Sequence, residues 1–146
     1  MYFDDLPVGY SFETTSKTLT REAIIGFAET WDPQAFHLDE EAARASIYGG
    51  LIASGFQTMM TAFVLTVEAG VWTNASMGSP GMDEIRWRLP VRPGDTLWAR
   101  GTVLSSTPST SRPDRGRTVI GYEVLNQKDE IVMSYSATHI LRRLPN

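Results

Sequence analysis

The stretch LIASGFQTMMTAFVLTVEAGVW, residues 51–72, is the most apolar in the chain, and Glu68 is its only charge. Ser54, Gln57, Thr58, Thr61 and Thr66 make it too polar for a membrane span, and no basic flank anchors it. A helix that is apolar nearly all round is otherwise buried on most sides. Such a helix needs something to wrap it. Either Ala53 or Ser54 can cap its N-terminus, and Gly55 allows another backbone to come close. Tyr48-Gly49-Gly50 breaks the chain just before it.

The second half of the chain supplies the wrapping. Residues 83–91, 96–106, 117–126 and 131–142 each read as strands, on β-branched and aromatic content with partial alternation. Pro93-Gly94-Asp95 and residues 126–129 (NQKD) are turn signals. Residues 105–116 (SSTPSTSRPDRG) read as a long polar connection, mobile or functional. Upstream, residues 11–17 read as a first strand. Thr20 is placed to cap a helix through Trp31, with Ala23, Ile24, Phe27, Ala28 and Trp31 as its apolar stripe. Asp32-Pro33 ends that helix, because a residue before proline is pushed out of helical conformation. Asp39 can cap a short helix over 40–45. The expectation is a single α+β domain over residues 1–146, an antiparallel sheet curled around one long central helix. No repeat or linker interrupts it.

Composition narrows the function. The 146 residues include no cysteine, which excludes disulfides, thiolate metal sites and cysteine nucleophiles. Two histidines, His37 and His139, leave little for a multi-histidine metal site. The net charge of -4 argues against a nucleic-acid binder. The acidic opening MYFDDLPVGYSFE lacks the layout of a signal peptide, so the expected compartment is the cytoplasm. The charge is uneven. Seven arginines (Arg86, Arg88, Arg92, Arg100, Arg112, Arg115 and Arg117) fall within residues 86–117, against two acids. Guanidinium groups match phosphate oxygens, although charge runs more often mark solvated faces.

The candidate chemistry lies in residues 31–55. Asp32 and His37 stand five apart in a proline-containing segment, WDPQAFH. Such a pair can converge on one water, with histidine as general base and the carboxylate orienting it or relaying a proton. The plainer alternative gives both residues structural roles beside helix ends. Ser54-Gly55 opens the buried helix, where unpaired N–H groups at the positive end of the dipole suit a carbonyl gaining negative charge. The alternative there is an ordinary cap. His139, in SYSATHILRR, has no acidic neighbour in sequence and reads as structural.

The segment WDPQAFHLDEEAARASIYGGLIASG resembles the signature of the MaoC-like dehydratases, a family that includes (R)-specific enoyl-CoA hydratases. Their pattern runs Asp, any residue, Asn, Pro, an aliphatic residue, His. Asp32 and His37 keep its spacing, while Gln34, Ala35 and Phe36 replace the three residues between. Gly49 to Gly55 resembles the family's glycine turn into the central helix, with Ser54 where many members have histidine. Residues 89–97 and the opening YFDDLPVGYSFE also resemble family members. The resemblance implies the hot-dog fold, a homodimer or higher homo-oligomer with a continuous sheet, and sites near the subunit interface. It implies reversible hydration of a trans-2-enoyl-CoA thioester to an (R)-3-hydroxyacyl-CoA. His37 would be the base and Asp32 would hold the water, with the two roles exchangeable. The Gly55 N–H, together with Ser54, would bind the thioester carbonyl. No metal or separate cofactor is implied, since coenzyme A arrives as part of the substrate. Arginines of the 86–117 cluster would meet its phosphates, and neither nucleic acid nor membrane is a partner. Phe63 stands where some members carry a hydroxyl residue, with Thr61 close by. Met59 and Met60 could line an acyl tunnel or simply pack.

Two other classes fit parts of this pattern. A hot-dog thioesterase would use a carboxylate on or beside the central helix, where Glu68 is the only acid. A non-catalytic acyl-CoA-binding module would have no need of an intact Asp/His pair.

Overall fold

The computed structural model describes residues 1–145. Six strands form one antiparallel arrangement: β1 (Ser11–Glu13), β2 (Lys17–Thr18), β3 (Gly81–Trp87), β4 (Thr96–Pro108), β5 (Arg115–Leu125) and β6 (Ile131–Arg142). The main order is β1-β4-β5-β6-β3, with β2 also pairing with β4. Four α-helices precede β3: α1 (Arg21–Trp31), α2 (Ala35–Leu38), α3 (Glu40–Ala45) and α4 (Gly55–Glu68). The sheet curls around α4, which is the hot-dog arrangement, and the fold is α+β.

Alternation along the strands builds the core. On β5, Thr118, Ile120, Tyr122 and Val124 point inward and are buried; on β6, Met133, Tyr135, Ala137, His139 and Leu141 do the same. Against them α4 buries Gln57, Thr58, Thr61, Ala62, Leu65 and Thr66. Ser54 rather than Ala53 is the cap, its hydroxyl accepting from the Phe56 N–H at 3.2 Å.

Several expectations are corrected. The helix within residues 51–72 is shorter than the apolar stretch. Leu51, Ile52 and Ala53 are buried but lie outside the helix, and Ala53 donates to the Val91 carbonyl at 2.8 Å. Nor is α4 buried on most sides. Phe56, Met60, Phe63 and Val64 form an apolar stripe, each at least 41% exposed. The strand expected over 11–17 is two strands. Between them Thr14 Oγ1 accepts from the Ala99 N–H at 2.9 Å, taking the place of a ladder carbonyl. In α1 only Ile24 and Ala28 of the expected stripe are buried, and Trp31 is 71% exposed. The strand expected over 83–91 is Gly81–Trp87, because Arg88 and Leu89 leave the ladder to share the Val132 carbonyl. Most of the polar connection expected over 105–116 is strand. Ser105, Ser106 and Thr107 pair with Val119, Thr118 and Arg117, leaving a turn over residues 109–114. Among the described residues, no helix is long and apolar enough to cross a membrane.

The β3 strand forms one edge of the sheet. It carries a bulge between Asp83 and Arg86, where Glu84 adopts a left-handed φ of 53°.

Candidate active site

Asp32 is the C-cap of α1, and Pro33 turns the chain directly into α2. His37 therefore sits on a one-turn helix rather than in a loop. Its ring is buried. His37 Nδ1 lies 2.7 Å from the Ile52 carbonyl oxygen, which can only accept. Nδ1 therefore carries a proton. His37 Nε2 lies 3.1 Å from Asp32 Oδ2. Nε2 is thus the ring nitrogen turned toward the carboxylate.

Asp32 has two other partners. Gln34 Nε2 donates to Oδ1 at 2.7 Å, and Ser54 Oγ donates to Oδ2 at 2.7 Å. Partial burial works to raise the Asp32 carboxyl. The hydrogen bonds from Gln34 and Ser54 and the facing His37 outweigh it, and its pKa falls below the ordinary value. Ser54 thus does two jobs, capping α4 and bonding the carboxylate. Its hydroxyl is engaged in both contacts.

Asp32, His37, Gly55, Phe56, Trp87 and Val91 are among the residues lining a cleft of about 510 Å³. Gly55 is the first residue of α4, and its N–H finds no acceptor among the described residues. Trp87 Nε1 donates to the Gly55 carbonyl at 2.9 Å. A Cβ on Gly55 would stand 2.5 Å from that nitrogen, so any side chain there would displace the indole. Phe56 meets Trp87 edge to face at 5.8 Å.

The cleft combines a buried acid–base pair, an unpaired backbone donor at a helix N-terminus and apolar walls. That equipment suits proton transfer beside a polarised carbonyl. The MaoC like domain profile matches residues 5–124. The chain belongs to the MaoC-like family. A MaoC-like dehydratase structure from Rhodospirillum rubrum is 41% identical, with a TM-score of 0.94 over 100% of this chain and 99% of that one. The uncharacterized protein YdeM of Bacillus subtilis is 31% identical over 98% of this chain and 100% of its own length. The (R)-specific enoyl-CoA hydratase of Rhodospirillum rubrum is 26% identical over 73% of this chain and 72% of its own length.

Within this MaoC-like frame, the structure brings Asp32, His37, Ser54 and Gly55 together. Sequence reasoning missed Gln34, the Ile52 carbonyl and Trp87. Gln34 had a signal, an amide two residues from a carboxylate; the other two had none. Of the seven clustered arginines, Arg88 alone lines the cleft. Arg86, Arg100 and Arg115 pair with Glu84, Glu123 and Asp114, and Arg92 donates to the Tyr48 carbonyl. Met60 belongs to the exposed stripe, while Met59 packs against the core. Glu68 ends α4 and is exposed, about 20 Å along the helix from Gly55 at 1.5 Å per residue.

Proposed function

We propose that this protein catalyses the reversible addition of water to a trans-2-enoyl-CoA thioester, giving an (R)-3-hydroxyacyl-CoA. The observation that carries the reading is the 3.1 Å contact between His37 Nε2 and Asp32 Oδ2 in a cleft that also holds the free Gly55 N–H. Membership of a family that includes (R)-hydratases supports it. The Asp32 carboxylate, held acidic by its partners, positions the water. His37 Nε2 is the atom at which the proton changes hands. The water oxygen bonds to C3 as its proton passes to the pair, the C2–C3 double bond gives up its π electrons, and C2 takes a proton from the pair. The pair ends as it began. The Gly55 N–H donates to the thioester oxygen as it gains charge, a contribution of about 3–4 kcal/mol by comparison with other oxyanion donors. Arg88, at the cleft, bonded to the Ser134 hydroxyl and without a carboxylate partner among the described residues, is the arginine for a coenzyme A phosphate.

The working unit of this reading is a homodimer. The exposed stripe on α4 is apolar, and the β3 edge beside it has unpaired backbone groups. An antiparallel pairing of this edge with the same edge of a second copy would continue the sheet. A cytoplasmic setting belongs to the same reading, because the substrate is a coenzyme A thioester.

The test follows enoyl-thioester absorbance of crotonyl-CoA beside a free-thiol assay. Absorbance loss without thiol release is the expected result. Thiol release would make the protein a thioesterase instead.

A further inference from the structure

Thr58 stands one turn into α4 and lines the same cleft as Asp32, His37 and Gly55. The residue is 2% exposed. A threonine hydroxyl inside a helix commonly donates to a backbone carbonyl three or four residues back. Thr66, on the same helix, does so, bonding the Phe63 carbonyl at 2.8 Å. Thr58 has no such outlet. The carbonyl three back is that of Gly55. It accepts the helix's own bond from the Met59 N–H, and a second from Trp87 Nε1 at 2.9 Å. The carbonyl four back is that of Ser54. It accepts from the Gln57 and Thr58 N–H groups at 3.0 and 3.1 Å. A carbonyl oxygen has two lone pairs, so both acceptors are fully used.

The Thr58 hydroxyl accordingly has no hydrogen-bond partner among the described residues. Both His37 ring nitrogens and both Asp32 oxygens already have theirs. Nor is the hydroxyl sealed in. Among the described residues the buried side-chain polar atoms without a partner are Gln57 Oε1, Trp72 Nε1 and Thr118 Oγ1. Thr58 Oγ1 is therefore open, and it opens on the cleft. Direction says what it meets there. Side chains on a helix lean toward its N-terminus, over the turn before their own Cα. The Thr58 hydroxyl thus leans toward the level of the Gly55 N–H.

We propose that the Thr58 hydroxyl is a second donor to the thioester oxygen, beside the Gly55 N–H, and that Trp87 keeps it free by occupying the Gly55 carbonyl. The proposal rests on the acyl-CoA reading above. Thr58 keeps its proton throughout and only donates a hydrogen bond. That bond strengthens as the thioester oxygen gains charge, so its loss falls on kcat more than on KM.

The experiment has two arms. The first reads the infrared carbonyl stretch of bound butyryl-CoA, isotopically labelled at the thioester carbon. This thioester is saturated and cannot be hydrated, so the arm does not depend on turnover. Thr58→Val keeps the shape, removes the donor and should raise the frequency above that in the wild type. Thr58→Ser keeps the hydroxyl and should stay near the wild type. Trp87→Phe should raise the frequency too, because the freed Gly55 carbonyl can then take the hydroxyl. The second arm follows crotonyl-CoA hydration. Thr58→Val should lose about a hundredfold in kcat, with KM within about twofold. It should keep wild-type stability to urea, since the hydroxyl it loses has no partner in the protein. An unchanged frequency in Thr58→Val overturns the proposal, as does an undiminished kcat or a failure of butyryl-CoA to bind. Where Thr58→Val does not fold, an unchanged frequency in Trp87→Phe overturns it. A raised frequency without hydration of any enoyl-CoA would remove the reaction and keep the donor. Hydration with an unchanged frequency would do the reverse.

Discussion

His37 reaches Asp32 with one ring nitrogen and the Ile52 carbonyl with the other, at 3.1 and 2.7 Å. The second contact decides the meaning of the first. Because Nδ1 must donate to a carbonyl, Nε2 is left as the only nitrogen that can exchange a proton with substrate or water.

Ser54 adjusts this pair from the helix cap. Ser54→Ala removes the hydrogen bond to Asp32 Oδ2 and the cap on the Phe56 N–H. The cap alone is worth about 1 kcal/mol, measurable by urea denaturation. The larger consequence is on pH dependence. Without the serine donor the Asp32 pKa rises, so the acid limb of the kcat/KM profile should move to higher pH. A lower rate with an unmoved limb would reduce Ser54 to a cap.

Asp32 also ties stability to pH. Its folded pKa lies below the ordinary 3.8. The stabilisation is therefore present in full above 3.8 and is lost as pH falls through the lower folded value. Asp32→Asn should cost stability at pH 7, and the gap from wild type should close below pH 3.8. Paired unfolding curves across that range check the sign.

His139 acts over a different window. Its pKa drops from 6.5 to about 4 on burial, so the unfolded chain binds the proton more readily between those values. Wild-type stability should decline as pH falls from 6.5 toward 4, and His139→Asn should decline less steeply.

Gly55 and Trp87 share one space. Gly55→Ala places a methyl 2.5 Å from the indole nitrogen, so the indole must shift. The expected cost is about 1–3 kcal/mol of stability together with most of the turnover. Gly55→Ala combined with Trp87→Phe should recover part of the stability, a coupling that a double-mutant cycle reads directly.

The Asp32–His37 pair was legible because it is local, five residues apart across a proline turn. Its supports were not. The Ile52 carbonyl comes from 15 residues beyond His37, and the Trp87–Gly55 bond spans 32. Both exist only because the chain before α4 packs against α2 and the β3 segment. The strands beyond Ser105 were hidden by composition. Serines and threonines read as loop, but the paired ends of β4 and β5 include exposed positions, Thr107 and Arg117, where polar residues suit a strand. The apolar surface of α4 was legible and its exposure was not. A pattern apolar on every face says that something covers it, without saying whether the same chain does.

If Asp32 and His37 move the proton, removing either must stop hydration. This is tested most directly by measuring crotonyl-CoA hydration in wild type, Asp32→Asn and His37→Ala, each shown by circular dichroism to be folded. Both variants should lose at least about two orders of magnitude in kcat, the usual scale for removing a general acid–base group. Near-wild-type turnover in either folded variant would contradict the account.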